Sequence, residues 1–118
     1  MAAFKVNLKI DQGASFSKVV FWKTGTPAVP VDLTGCRARM QVLSKVESSA
    51  VLLEFTTENG GIVLGGATGR IEFAILTPAR TALIDWLTAG YDLEIIFPDN
   101  TVQRKIGGSV GVTREFTR

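Results

Sequence analysis

Apolar and polar residues alternate with a period of two along most of the chain. Phe4, Val6, Leu8 and Ile10 alternate with Lys5, Asn7, Lys9 and Asp11, the pattern of a strand with one buried face. Gln12-Gly13 ends it. Ser17 to Lys23 (SKVVFWK) is rich in β-branched and aromatic residues and predicts a second strand. Gly25, Pro27 and Pro30 then force an extended loop, since proline cannot donate to a ladder. Alternation resumes over Cys36 to Leu43 and Val51 to Thr56. Glu58-Asn59-Gly60-Gly61 is a turn, because Asn and Gly tolerate positive φ. A short apolar piece, Ile62 to Leu64, precedes a strand over Arg70 to Leu76.

The period then changes. Thr77 followed by Pro78 predicts a helix start, a hydroxyl N-cap with proline at the first helical position. Ala79, Ala82, Leu83, Trp86 and Leu87 recur at helical spacing, and Gly90 supplies a stop. This predicts a helix of two to three turns at most. Strands return at Tyr91 to Phe97, Val102 to Ile106 and Gly111 to Phe116, with Gly107-Gly108 read as a bulge or bend between the last two. Pro98-Asp99-Asn100 is a tight turn. Seven or eight short strands with one connecting helix exclude a parallel α/β sheet, which needs a crossover helix after most strands. The expected fold is all-β, a mostly antiparallel immunoglobulin-like sandwich, with a small barrel second. A single domain over 1–118 fits this length.

Composition narrows the chemistry. A hydrophobic fraction of 46% with 20% charged residues excludes a disordered chain. No apolar run approaches the ~18 residues of a membrane span, and the alternating start does not read as a signal peptide. The absence of His excludes any site that needs imidazole. With Cys36 the only cysteine, neither an internal disulfide nor a Cys-rich zinc site can form. A net charge of +2 is too small to argue for nucleic acid, and no aromatic platform interleaves with the basic residues.

The remaining candidates read better as structure than as catalysis. Gly60-Gly61 and Gly65-Gly66 flank a strand-like piece and do not lead into a phosphate-binding helix. Asp92 and Glu94 sit two apart on one strand, where paired carboxylates form a solvated face more often than an acid–base pair. Cys36 opens an apolar-facing pattern and reads as a small buried hydrophobe. Trp86 falls on the helical stripe and is assigned to the core. Trp22 lies on a strand that is apolar on both faces. Leu43, Leu52, Leu76 and Ile96 occupy positions their strands otherwise give to polar residues. These five residues, Trp22, Leu43, Leu52, Leu76 and Ile96, are the expected protein interface.

The segment VDLTGCRARMQV (Val31 to Val42) resembles a feature of small proteins encoded among tailed-bacteriophage virion genes, where DLTG is followed by an alternating strand ending in Met-Gln-Val. Asp11 to Phe16 (DQGASF), Glu58 to Ile62 (ENGGI), Tyr91 to Glu94 (YDLE), Pro98 to Asn100 (PDN) and Val110 to Glu115 (VGVTRE) resemble further pieces of that family, in order. Asn100 stands where the family more often has Gly, and Cys36 where an aromatic is common. The chain also resembles, to a lesser degree, the N-terminal domain of phage baseplate upper proteins. Within these motifs Asp32, Thr34, Gly35, Asn59, Gly60, Pro98, Asp99 and Asn100 are turn residues, not chemistry. The resemblance implies a non-enzymatic structural subunit of a virion, made in the bacterial host cytoplasm. Its place would be the tail, baseplate or neck and collar. Its partners would be other virion proteins and copies of itself in a ring. It implies no cofactor, metal, nucleic acid, membrane or small-molecule substrate. The alternatives are a capsid head decoration protein and, from another class, a host-receptor or carbohydrate-binding module. The latter would need exposed aromatics beside polar groups in a groove.

Overall fold

The computed structural model describes residues 4–44 and 50–114. In chain order its strands are β1 (Phe4–Lys5), β2 (Leu8–Asp11), β3 (Phe16–Phe21), β4 (Lys23–Thr24), β5 (Val29–Pro30), β6 (Arg37–Leu43), β7 (Val51–Thr56), β8 (Val63–Leu64) and β9 (Arg70–Leu76). A five-residue helix, α1 (Pro78–Ala82), precedes β10 (Thr88–Ile96) and β11 (Val102–Thr113). The large sheet runs β1-β11-β10-β6-β7, with β2 also on β11, and the small sheet runs β3-β9-β8. β4 and β5 form a separate hairpin. These orders match the G-F-C-C′ and B-E-D sheets of an immunoglobulin-like sandwich. Among the described residues no helix is long and apolar enough to cross a membrane.

Alternation builds the two layers. On β6, Ala38, Met40 and Val42 are buried while Arg37, Arg39 and Gln41 are exposed. Tyr91, Leu93 and Ile95 on β10 are buried beside them. Ile71 and Phe73 on β9 face these residues from the small sheet, and the Phe73 and Tyr91 rings meet with centroids 6.1 Å apart. The burial of such large side chains drives folding, at roughly 1.5–3 kcal/mol each.

Besides the expected loop at 25–30, which closes a β4–β5 hairpin with Pro30 opposite Lys23, four elements depart from the sequence expectation. The first strand is broken at Val6-Asn7, and both halves pair parallel with β11. The break is held by Val6 N–H donating to Gly107 O (2.9 Å) and Ser109 N–H donating to Asn7 Oδ1 (3.1 Å). The Tyr91 hydroxyl also donates to Val6 O (2.5 Å). Gly107-Gly108 is no bulge. A Cβ on Gly108 would collide with the Val6 carbonyl, so glycine serves close approach there. The bulge falls earlier, where Leu93 pairs with Ile106 but Glu94 pairs with Arg104. Lys105 is the extra residue, and it turns inward beside Ile106. β11 therefore runs unbroken from Val102 to Thr113, and residues 115–116 of the last expected strand lie outside the described residues.

The helix is the fourth departure. Thr77 caps it, its hydroxyl accepting from Arg80 N–H (3.3 Å), but it stops at Ala82. The buried residues are Thr81 and Ile84, not the expected stripe, and Leu83 is 81% exposed. Thr81 sets this phase. Its hydroxyl donates to Ala14 O (2.8 Å) and accepts from Gly13 N–H (3.0 Å). The Gln12 side chain donates to Ile84 O (2.9 Å). Polar docking onto the 12–14 turn thus outweighs the apolar stripe. Trp86 lies outside the helix, half-buried against the core.

Candidate protein-contact surfaces

Two of the five expected interface residues lie inside. Trp22 is only 6% exposed, edge-on to Phe97 with centroids 6.0 Å apart, and Lys105 Nζ lies 3.8 Å from its ring centroid. Phe21, one residue earlier, takes the outward position at 57% exposure. The aromatic pair is thus split between the two faces, and the outward one is Phe21. Leu76 is buried because β9 carries a bulge. Phe16 pairs with Leu76 while Lys18 pairs with Phe73, leaving one extra residue on β9. Ala74 sits there at φ 56°, and its insertion turns Leu76 back to the core. Leu43, Leu52 and Ile96 are half-buried. Leu52 is the extra residue of another bulge, opposite Val42 and Leu43, and packs against the core. Leu43 and Ile96 stay on the outer face of the large sheet, beside Gly90 and Arg37 respectively.

The turn residues do local work. Asp32 Oδ1 accepts from Thr34 N–H (3.0 Å) and its hydroxyl (2.6 Å), ahead of Gly35 at φ 78°. Asp99 Oδ1 accepts from Thr101 N–H (2.9 Å) and from the Thr101 hydroxyl, next to Asn100 at φ 69°. These hydroxyl bonds hold both carboxyls below the usual carboxylate range. The two loops touch, since a Cβ on Gly35 would lie 3.2 Å from Pro98. Half-buried Cys36 sits between them. Burial pushes its thiol up, and the charges of Asp32 and Asp99 add to the effect. It is therefore a poor nucleophile.

Asn59, flanked by Gly60 at φ 80°, closes a sheet edge. β7 ends the large sheet. Thr57 N–H donates to Ala38 O (3.1 Å), so by alternation residues 54 and 56 point their backbone away from β6. Asn59 answers both. Its Nδ2 donates to Glu54 O (3.2 Å), and its Oδ1 accepts from Thr56 N–H (2.9 Å). One side-chain amide replaces a neighbouring strand, and Gly61 and Ile62 N–H complete the cover on Thr56 O. The other edges are blunted differently. β1 and β2 are short and carry Lys5 and Lys9, β8 has two residues, and β3 carries Lys18.

With these edges blunted, the outer faces remain as contact surfaces. On the large sheet Arg39 pairs with Glu94 (3.2 Å), Arg104 with Asp92 (3.7 Å), and Gln41 donates to Glu54 (2.9 Å). Arg39, Gln41, Asp92 and Glu94 of this ladder line a shallow groove of about 740 Å³ with Leu43, Gly90 and Gly108. The aromatic lining it, Tyr91, is buried in the core, and burial raises its pKa. Among the described residues the groove thus presents no exposed aromatic of the kind a glycan-binding cleft uses to stack a sugar ring. The small sheet differs. Val19, Phe21 and Val63 are exposed on its outer face around Arg70 and Glu72, which bond each other at 3.5 Å. Val19 and Phe21 were legible as one side of an apolar strand, but Val63 was hidden in a two-residue strand.

No family model matches the chain, and no curated protein matches it. Among solved structures, domains 3–5 of the extracellular part of Drosophila OTK are similar at 12% identity and a TM-score of 0.38. The match covers 90% of this chain and 32% of that one.

Proposed function

We propose that this chain is a non-enzymatic structural subunit of a tailed-bacteriophage virion, in the tail, baseplate or neck and collar. The observation that carries the reading is the exposed apolar face of the small sheet. Phe21, Val19 and Val63 stand in solvent on a rigid β-sheet, the kind of surface that an assembly partner covers. The ordered series of motifs from Asp11 to Glu115 supplies the virion setting. Those motifs shape turns and one closed edge, so they serve a scaffold that presents its faces to neighbours. The contact residues are Val19, Phe21 and Val63 in place of Trp22 and Leu76.

Cryo-electron microscopy of purified particles tests this, with the chain traced into the map. Repeated copies of the sandwich in a ring at the neck, tail or baseplate are the expected result. Copies on the capsid surface would identify a head decoration protein instead. Absence from mature particles, checked by mass spectrometry of the same preparation, would overturn the reading.

A further inference from the structure

We propose that the outer face of the small sheet is self-complementary and pairs two copies of this chain about a two-fold axis. The axis lies in the face and crosses β9 at Ile71. The register of the sheet carries the inference. Glu72 pairs with Val19 on one side and Val63 on the other, which makes one row across the three strands. Arg70 pairs with Phe21 on one side, and on the other its carbonyl accepts from Gly65 N–H (2.7 Å), which makes the second row. Ile71, between the rows, is fully buried, so the outward side chains of both rows stand on the same face.

A two-fold axis through Ile71, perpendicular to the strands, lays each row on the other. Arg70 then meets the partner's Glu72, and Glu72 meets the partner's Arg70. The rows also match in size. Phe21 lies over the partner's Val19, and Val63 lies over the partner's Gly65. On each flank the larger side chain meets the smaller one, and unlike charges meet at the centre. Interfaces of this isologous kind need only one surface patch. The Arg70 and Glu72 side chains are 38% and 26% exposed, so each keeps capacity for a second partner beyond its own ion pair. No other occupant is needed to satisfy the face, because its own pattern supplies both halves of the contact. The inference rests on the reading of the chain as an assembly subunit, and names a second copy as what covers this face.

Sedimentation of the full chain from micromolar to millimolar concentration tests the pairing without particles. The expected result is a reversible monomer–dimer equilibrium. Arg70→Glu and Glu72→Arg should each weaken it by about tenfold or more, since like charges then face each other at the centre. The double variant R70E/E72R should recover it. Phe21→Asp should abolish it, and Arg39→Glu, on the other outer face, should leave it unchanged. Circular dichroism of each variant separates lost pairing from lost folding. A wild-type monomer at millimolar concentration would overturn the proposal. So would a single reversal without effect, or a double reversal without recovery. The two readings fail separately. A monomeric chain found in particles would remove only the pairing, and a dimer absent from particles would remove only the virion role.

Discussion

On the large sheet the outward positions carry Arg39, Gln41, Asp92, Glu94 and Arg104, held in polar pairs across the strands, with Leu43, Ile96 and Val102 toward the strand ends. On the small sheet they carry Val19, Phe21 and Val63 around a single ion pair. Both faces arise from the same two-residue alternation over one shared core. The large-sheet face satisfies its charges internally and stays hydrated. The small-sheet face leaves apolar surface in water, at roughly 25 cal/mol per Å² that burial would recover. The contrast gives the small-sheet face, where apolar side chains surround the centre rather than the ends, the larger free-energy reason to associate. It also shows why counting apolar residues was insufficient, since the decisive property is the side of the strand on which each lies.

The sharpest test separates neighbours on one strand and its extension. Trp22→Ala should cost about 3–5 kcal/mol in urea unfolding, because it empties a core site under Phe97 and Lys105. Phe21→Ser should change stability by only about 0.5 kcal/mol or less. Equal losses would mean that both rings serve the core, and the comparison would collapse. A smaller effect is expected at the edge of the large sheet. Asn59→Ala leaves Glu54 O and Thr56 N–H to water, at about 0.5–1.5 kcal/mol because both bonds are exposed. It should also raise aggregation measured by light scattering, as an uncovered edge recruits strands. Loss of stability without added aggregation would show that the edge is protected by other means.

The ladder itself should matter less. A double-mutant cycle on Arg39 and Glu94 should give about 0.2–1 kcal/mol, falling in molar salt, because both side chains reach solvent. A larger, salt-insensitive coupling would mark the charged face as the one held dry.

Lys105 gives a signature in pH. It is 2% exposed, and burial lowers its pKa below that of the unfolded chain. A depressed folded value means that the unfolded chain holds more protons between the two values. The Lys105 contribution to stability should therefore rise with pH there, and be lost as pH drops through the folded value. The measurement is made below the unfolded tyrosine value of about 10, as the difference in slope between wild type and Lys105→Met, so that the raised Cys36 thiol, which gives the opposite slope in both proteins, cancels. Tyr91, raised in the fold, keeps its proton in both states well below that value. Lys105→Met should flatten the rise while keeping the stack on Trp22. An unchanged slope in the variant would assign the pH dependence elsewhere.

Much of the fold was legible because alternation is a local property. The strands over Arg37–Leu43, Val51–Thr56 and Arg70–Leu76 follow directly from their patterns. So does the Thr77-Pro78 helix start. A mostly antiparallel two-sheet sandwich, with a small barrel second, then follows from the strand count and the shortage of helices. Three single-residue insertions were not legible. Extra residues at Ala74, Leu52 and Lys105 each shift the alternation by one, so everything beyond them changes face. A bulge depends on cross-strand pairing, and no local pattern encodes which partner residue it opposes. That is why Leu76 was placed outside and Lys105 was not placed inside. Asn59 was legible as a turn residue, but its cover of β7 needs the hairpin to close first. The helix phase failed for a related reason, because Thr81 bonds to a turn 67 residues earlier in the chain.

Hydroxyl-radical footprinting of the chain at low and high concentration tests the central claim most directly, since it reads side-chain exposure on both faces at once. Protection of Phe21, Val19 and Val63 on concentration, with the residues around Arg39 and Glu94 unchanged, is the predicted result. Protection confined to the charged face, or none on either face, would contradict it.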